Sequence, residues 1–318
     1  MSVVAITGCS GYIGMRLMQA MDDDAGISSI IGMDVKPPAR HFKKLDFHSM
    51  EIRNPELANL FIKKGVKKVI HLAFILDTIH DEALMHAVNV GGTMNAMAAA
   101  VACQARHLVV ASSTTVFLIP CAAPRWSRED APPDSRSALT YVKDKLAVEL
   151  LVRDFKEAHP GIKVAVVRPS IVYGPNVNNY ISRYFTRMPV ILTVGRERPD
   201  MQFVHEDDVA EVFREVVRQE AEGYFHAVGA DTVNLAQVAR MYGKRLVGLP
   251  AWVVFPLIDL LWKIRFPLIE GPSAALDGIR YPWVVSGEQT CQVLGLGQRL
   301  SCEEVVRCML DGRNSAKS

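Results

Sequence analysis

Tyr141 and Lys145 stand four residues apart in the run Tyr141-Val142-Lys143-Asp144-Lys145, inside a stretch patterned as a helix. That spacing places both side chains on one helix face. A free phenol titrates at about 10, too high for a base at neutral pH, and a neighbouring ammonium favours the phenolate. The pair can therefore give a proton to a carbonyl oxygen or take one from a carbinol. Ser112 and Ser113 close a short apolar run upstream. Ligands of open α/β sheets gather at the carboxyl ends of strands, so a hydroxyl there can reach the same oxygen.

A second constellation lies near the start of the chain. Residues 7–14 read Thr7-Gly8-Cys9-Ser10-Gly11-Tyr12-Ile13-Gly14, between a strand-like run and a helical one. Gly8 permits a tight turn, Gly11 lets the backbone approach a pyrophosphate, and Gly14 lets helix pack on strand. The helix start then offers free N–H groups to an anion. Asp34 follows Gly14 by 20 residues, at the end of the next strand-like run. A carboxylate there accepts ribose hydroxyls and repels a 2′-phosphate. NAD is therefore the expected cofactor and NADP the weaker one, even with Arg40 near in sequence. Asp46, placed at the end of a third strand, is expected to meet the adenine edge.

The elements that must hold these groups alternate. Strands are predicted at 2–7, 28–34, 42–47, 67–73, 107–112 and 163–168. Helices are predicted at 12–21, 54–64, 82–104 and 139–159. Near-continuous apolar strands separated by helices imply parallel strands covered on both faces, a doubly wound α/β (Rossmann) sheet. After Pro169 the regularity fades and prolines punctuate short elements. The expected division is a dinucleotide-binding domain over 1–174, with 201–230 packing back onto it. Residues 175–200 and 231–318 are expected to form a smaller, less regular substrate lobe.

Composition narrows the function classes. The chain has 318 residues, 36 Lys+Arg against 34 Asp+Glu and a formal charge of +2. So balanced a charge gives no broad field for gripping nucleic acid. Cys9, Cys103, Cys121, Cys291, Cys302 and Cys308 include no C-x-x-C pair. Neither a disulfide framework nor a metal site is expected, and a reducing, cytoplasmic setting fits. No secretory signal is read at the start. Residues 249–269 are strongly apolar but carry Asp259, Lys263 and Arg265 with Pro256 and Pro267. A buried or lid helix is expected there, and no integral membrane span.

Taken together, the chain resembles the extended short-chain dehydrogenase/reductases, which include the NAD-dependent epimerases and dehydratases. The resemblance rests on the 7–14 loop, His71-Leu72-Ala73, Asn89-Val90-Gly91-Gly92-Thr93, the Ser113/Tyr141/Lys145 set, residues 168–175 and residues 203–210. It implies Tyr141 as general acid/base, Lys145 as the ribose ligand that tunes it, and Ser113 as the hydrogen-bond partner of the substrate oxygen, with Thr114 as a substitute. It further implies that Leu72, Ala73 and Phe74 line the cofactor's ribose and pyrophosphate. Pro169 and Ile171 would approach the nicotinamide, and Asn89 would support the neighbouring loops. In this family the helices around 82–104 and 138–159 pair across a two-fold axis, which implies a homodimer.

Departures from the family pattern guide the choice of reaction. Thr114-Thr115 stand where dehydratases carry an acidic pair, and Met201-Gln202 stand where sugar-nucleotide epimerases usually place a diphosphate-clamping Arg. Arg196, Arg198 and Arg280 are the candidates to replace that cation. The second lobe is rich in large apolar residues, Trp252, Phe255, Leu260 and Trp262 among them. The leading expectation is an NAD-dependent oxidoreductase acting on a carbonyl or secondary alcohol of a small, largely apolar substrate. A nucleotide-sugar 4-epimerase is the alternative, and a non-enzymatic dinucleotide-binding sensor the third reading.

Overall fold

Buried β-branched runs dictate the centre of the molecule, and the candidate catalytic groups gather at one end of the sheet they form. The structure, a computed structural model, describes residues 2–120 and 126–315, so Cys121 lies outside the described residues. Strands β1 (Ser2–Thr7), β2 (Ile27–Asp34), β3 (Leu45–Ser49), β4 (Lys68–His71), β5 (His107–Ala111) and β6 (Lys163–Pro169) correspond to the six predicted runs. Outside this sheet, β7 (Ile171–Tyr173) pairs in parallel with β10 (Phe203–His205), and β8 (Ile191–Val194) with β13 (Leu246–Leu249). A short antiparallel pair joins β9 (Asp200–Met201) to β12 (Val233–Asn234). The seventh strand of the main sheet, β11 (Gly223–Ala227), escaped the sequence reading. The order is β11-β6-β5-β4-β1-β2-β3, all parallel.

Helices cover both faces, as a parallel sheet requires. Leu17, Met18 and Met21 of α1 (Tyr12–Met21) share one core with Val209, Phe213 and Val216 of a helix at Glu206–Gln219. The opposite core joins Leu57 and Phe61 of α2 (Leu57–Lys64) to Ala96 and Ala99 of a later helix and to Val148 and Val152 of another. The predicted helix 82–104 is three pieces: α3 (Glu82–His86), a π-helical turn at Ala87–Gly91, and α4 (Gly92–Ala102). The extra residue of a π turn re-aims side chains, commonly at functional sites. Here it contains Asn89, which accepts from Ile75 N at 2.7 Å and donates to Asp144 at 2.9 Å. Asn89 thus holds the loop after β4 against α5 (Thr140–Ala158).

One ion pair fastens α5 to the sheet. Arg168 of β6 and Glu149 of α5 are both buried and joined by two hydrogen bonds, at 2.8 and 2.6 Å. Glu149 also accepts the hydroxyl of Ser112, and Arg168 donates to Glu129 O at 3.0 Å. The guanidinium lies over the rings of Phe117 and Tyr224, at 4.9 and 4.3 Å.

A further core, which takes in Tyr173 of β7 and Phe203 of β10, holds Phe185 of α6 (Tyr180–Arg187) and Val238 of α8 (Leu235–Met241). The helix at Glu206–Gln219, α7, precedes it in the chain. The apolar stretch 249–269 forms α9 (Ala251–Lys263), which buries Val254 and Ile258 but leaves most of its other side chains at the surface. Its Trp262 stacks on His80 with ring centroids 3.8 Å apart, so it roofs the loop after β4. Among the described residues no helix is long and apolar enough to cross a membrane.

Breaking one side of a buried, hydrogen-bonded ion pair leaves an uncompensated charge, at about 3–5 kcal/mol. Glu149→Ala is therefore expected to lower unfolding free energy by about that much. The double variant Glu149→Leu/Arg168→Met should recover most of it in urea titrations. Equal losses for single and double variants would show that the pair is not the source.

Candidate active site

The cofactor cradle begins at the β1–α1 turn. Gly8 has φ +72°, and a Cβ there would stand 2.6 Å from Ala73 N. A Cβ on Gly14 would stand 2.4 Å from Gly8 O. These contacts bring β1, α1 and the end of β4 together more closely than any side chain permits. The first turn of α1 has no side-chain cap and no acidic residue. Its N–H groups thus face the cleft with the positive end of the helix dipole. At the carboxyl end of β2, Asp34 accepts from Ser10 N at 3.0 Å. The cleft is walled by Ser10, Gly11, Asp34, Leu72, Ala73 and Phe74. It continues past Tyr12, Ile13 and Gly14 to Pro169 and Ile171. These residues fit a dinucleotide: backbone N–H for a pyrophosphate, a carboxylate for ribose, apolar walls for rings.

The continuation of the cleft holds the reacting trio. Ser113 caps a short 3₁₀ turn (Thr114–Phe117) just beyond β5, its Oγ accepting from Thr115 N at 3.2 Å. Tyr141 lies in the first turn of α5 and lines the cleft together with Ser113. Lys145, one turn further, donates to Ala111 O at 2.8 Å and stands 3.4 Å from the centroid of the Phe74 ring. Phe74 packs edge-on against Tyr141, so one ring separates and supports both groups.

The electrostatics differ from the sequence expectation. Burial pushes the Tyr141 phenol up to about 12, and only the nearby Ser113 hydroxyl works against it. Burial pushes Lys145 down to about 7, with Glu149 and Asp144 opposing. Desolvation outweighs the ammonium's attraction because Lys145 is turned toward Ala111 O and Phe74 rather than the phenolic oxygen. In this state Tyr141 is a neutral proton donor.

A model of the NAD dependent epimerase/dehydratase family matches residues 4–246. The chain belongs to that family. A relative in Mycobacterium tuberculosis strain H37Rv, protein Rv0501, is 27% identical over 269 residues, covering 81% of this chain and 70% of its own. UDP-glucose 4-epimerase 2 of Oryza sativa subsp. japonica is 24% identical over 305 residues, covering 86% and 73%. Among solved structures, MoeE5 in complex with UDP-glucuronic acid and NAD superposes with a TM-score of 0.76. It is 21% identical and covers 98% of this chain and 99% of its own, a likeness of fold. The expected parallel sheet agrees with that fold, and the expected cofactor NAD with the family and with the NAD held by such neighbours.

Within this epimerase/dehydratase-family cleft, some expected residues stand elsewhere. Asp46 does not reach it. β3 begins at Leu45, because Asp22 accepts the N–H groups of Lys43 and Lys44 at 3.0 Å each and removes them from the ladder. Asp46 is therefore mid-strand and bound to Lys64 at 2.6 Å, which holds its carboxyl below the usual range. Met50, Glu51 and Ile52, just past the true strand end, line the cleft instead. Thr114 is wholly buried behind the wall, whereas Thr115 lines it. Beside Asp34 the nearby cation is Lys36, which lines the cleft, while Arg40 lies over the Phe42 ring.

Three lining groups escaped the sequence reading. Thr115 and Ser170 have buried Oγ atoms without a hydrogen-bond partner among the described residues, and both line the reacting end. Tyr180, at the start of α6, is a second, half-buried phenol beside Tyr141, raised by desolvation first and by Tyr141 next. The Ser170 position, between Pro169 and Ile171, was the one legible hint.

Lys145 loses its proton at about 7 when folded and at about 10.5 when not. Between those values the unfolded chain holds the extra proton, so the folded state gains stability as pH rises. Relative to the unmodified protein, Lys145→Met should be most stable below about pH 7 and lose about 4 kcal/mol of that advantage by about pH 10. Denaturation across that range checks this; a difference independent of pH contradicts a buried ammonium.

Proposed function

We propose that this protein is an NAD-dependent oxidoreductase that transfers a hydride between the nicotinamide and the carbonyl or carbinol carbon of a largely apolar substrate. The observation that carries this reading is the cavity beyond Tyr180. It shares Tyr180 and Ile181 with the reacting cleft and is lined by Tyr184, Leu192, Val194, Val254 and Ile258. Its two cations are already paired. Arg183 is bound to Glu270 and to Asp77, the latter at 2.7 Å, and Arg187 reaches Glu270 at 3.4 Å. Arg196, Arg198 and Arg280 do not line it. Arg198 donates to Thr193 and Glu197, and Arg280 lies over Phe255 and Tyr281. At the clamp position Met201 is buried and Gln202 bonds both backbone groups of Val285. Recognition of a diphosphate needs fixed, unpaired charge. Nothing lining this cavity supplies it.

Bound NAD supplies the hydride acceptor, or its reduced form the donor. The chain's own groups handle the proton and the orientation. Ser113 and Tyr141 converge on one oxygen position, and Tyr141, held neutral, donates to a carbonyl oxygen there. The unpartnered hydroxyls of Thr115 and Ser170 are free to bond polar substrate atoms. A nucleotide-sugar 4-epimerase is the second reading, favoured by the rice relative's name. It uses the same trio but returns the hydride to the same carbon.

We further propose a homodimer through α4 and α5, where Met94 and Leu150 stay exposed. Light scattering at micromolar concentration should give twice the chain mass; a monomer would leave these faces without the proposed role.

Tyr141→Phe removes one oxygen and keeps the ring against Phe74. NAD binding should survive, and turnover on a verified substrate should fall by roughly 10²-fold or more. Near-full activity in that variant would show that another group moves the proton.

A further inference from the structure

α9 and the residues after it present an apolar surface that the fold does not use. Trp252 is 79% exposed, Leu260 57% and Ile264 62%, and Leu257, Phe266 and Leu268 are exposed beside them. Trp252, Pro256, Leu260 and Ile264 recur every four residues and form one outward row, while Val254 and Ile258 form the inward one. Single exposed apolar residues are ordinary, but a contiguous group marks a contact surface. The most exposed member is a tryptophan, whose ring and N–H suit the boundary between lipid and water.

The charge around this row has a basic excess. Lys263 and Arg265 are exposed and make no ion pair among the described residues. Asp259 is the only acid within 251–268, and both its oxygens are occupied, by Ser273 N at 2.8 Å and Ser273 Oγ at 2.9 Å. The whole chain is nearly neutral, so this is a local cation pair set on a local apolar face. Such a face complements anionic headgroups over hydrocarbon. A helix of 13 residues is too short to span a bilayer but suits lying in its interface.

We propose that α9 and residues 264–268 dock this protein on an anionic lipid surface, with the Trp252–Leu260–Ile264 row at the acyl boundary and Lys263 and Arg265 among the headgroups. The inference rests on this surface alone and holds whichever reaction the cleft performs.

The test is co-sedimentation of the full chain with sucrose-loaded vesicles of phosphatidylcholine, with and without phosphatidylglycerol. The protein should sediment with the phosphatidylglycerol vesicles, less so as salt rises, and little with phosphatidylcholine alone. Lys263→Glu/Arg265→Glu should weaken binding by about 10-fold or more, since each basic residue near an anionic leaflet contributes roughly fivefold. Trp252→Glu/Leu260→Glu should abolish binding while the thermal midpoint stays unchanged. No sedimentation with either vesicle would overturn the proposal. So would undiminished binding of the Trp252→Glu/Leu260→Glu variant. Conversion of a lipid-free dimer to a monomer by the same variant would overturn it too, by showing that a second copy covers the face.

Discussion

The buried Glu149–Arg168 pair is the interaction on which the site's geometry hangs. It ties α5 to β6, and through the Ser112 hydroxyl it also grips the end of β5. Tyr141 and Lys145 ride on α5, Ser113 follows Ser112, and Pro169 follows Arg168. One ion pair therefore fixes the relative placement of the phenol, the ammonium, the serine and the wall at Pro169. Such a pair is costly to bury and gains little net stability against apolar replacements. Its use here is positional. Carboxylate and guanidinium bond in one planar arrangement, so the helix has one allowed rotation against the strands.

The same placement explains the altered titration of the trio. Packing that orients Tyr141 and Lys145 also removes water from them. The phenol rises and the ammonium falls, each toward its neutral form. The reacting end of the resting cleft therefore carries less charge than a free phenolate and ammonium would, which supports the proposed apolar substrate. Beyond it the two cations that line the adjoining cavity, Arg183 and Arg187, are consumed by Asp77 and Glu270. Under the proposed function, the contrast with a diphosphate-binding cleft is one of pairing, not of arginine content.

Much of this was legible because it is local. The 7–14 loop, the i and i+4 pair and Asp34 at a strand end are set by short-range spacing, and each stands in the cleft. What failed depended on distant partners. Asp22 stops β3 from starting at Phe42 by binding two backbone N–H groups, and that moves Asp46 out of reach. The π turn at Ala87–Gly91 leaves no mark on apolar periodicity, yet it is what lets Asn89 reach Asp144 and the loop at Ile75. Strand β11 is short and glycine-led, and only pairing with β6 makes it a strand. Tyr180 and Thr115 carry no motif of their own, and Ser170 was marked only by its place between Pro169 and Ile171; the fold gathers the three.

The central claim is that hydride passes between NAD and the carbinol carbon of an apolar alcohol. It is tested most directly by isotope. The protein is incubated with NAD and a panel of apolar secondary alcohols deuterated at the carbinol carbon, and the cofactor released is weighed by mass spectrometry. The account predicts deuterium in reduced cofactor, in step with ketone formed. Absence of label from every alcohol, together with interconversion of UDP-glucose and UDP-galactose without net cofactor reduction, would contradict it.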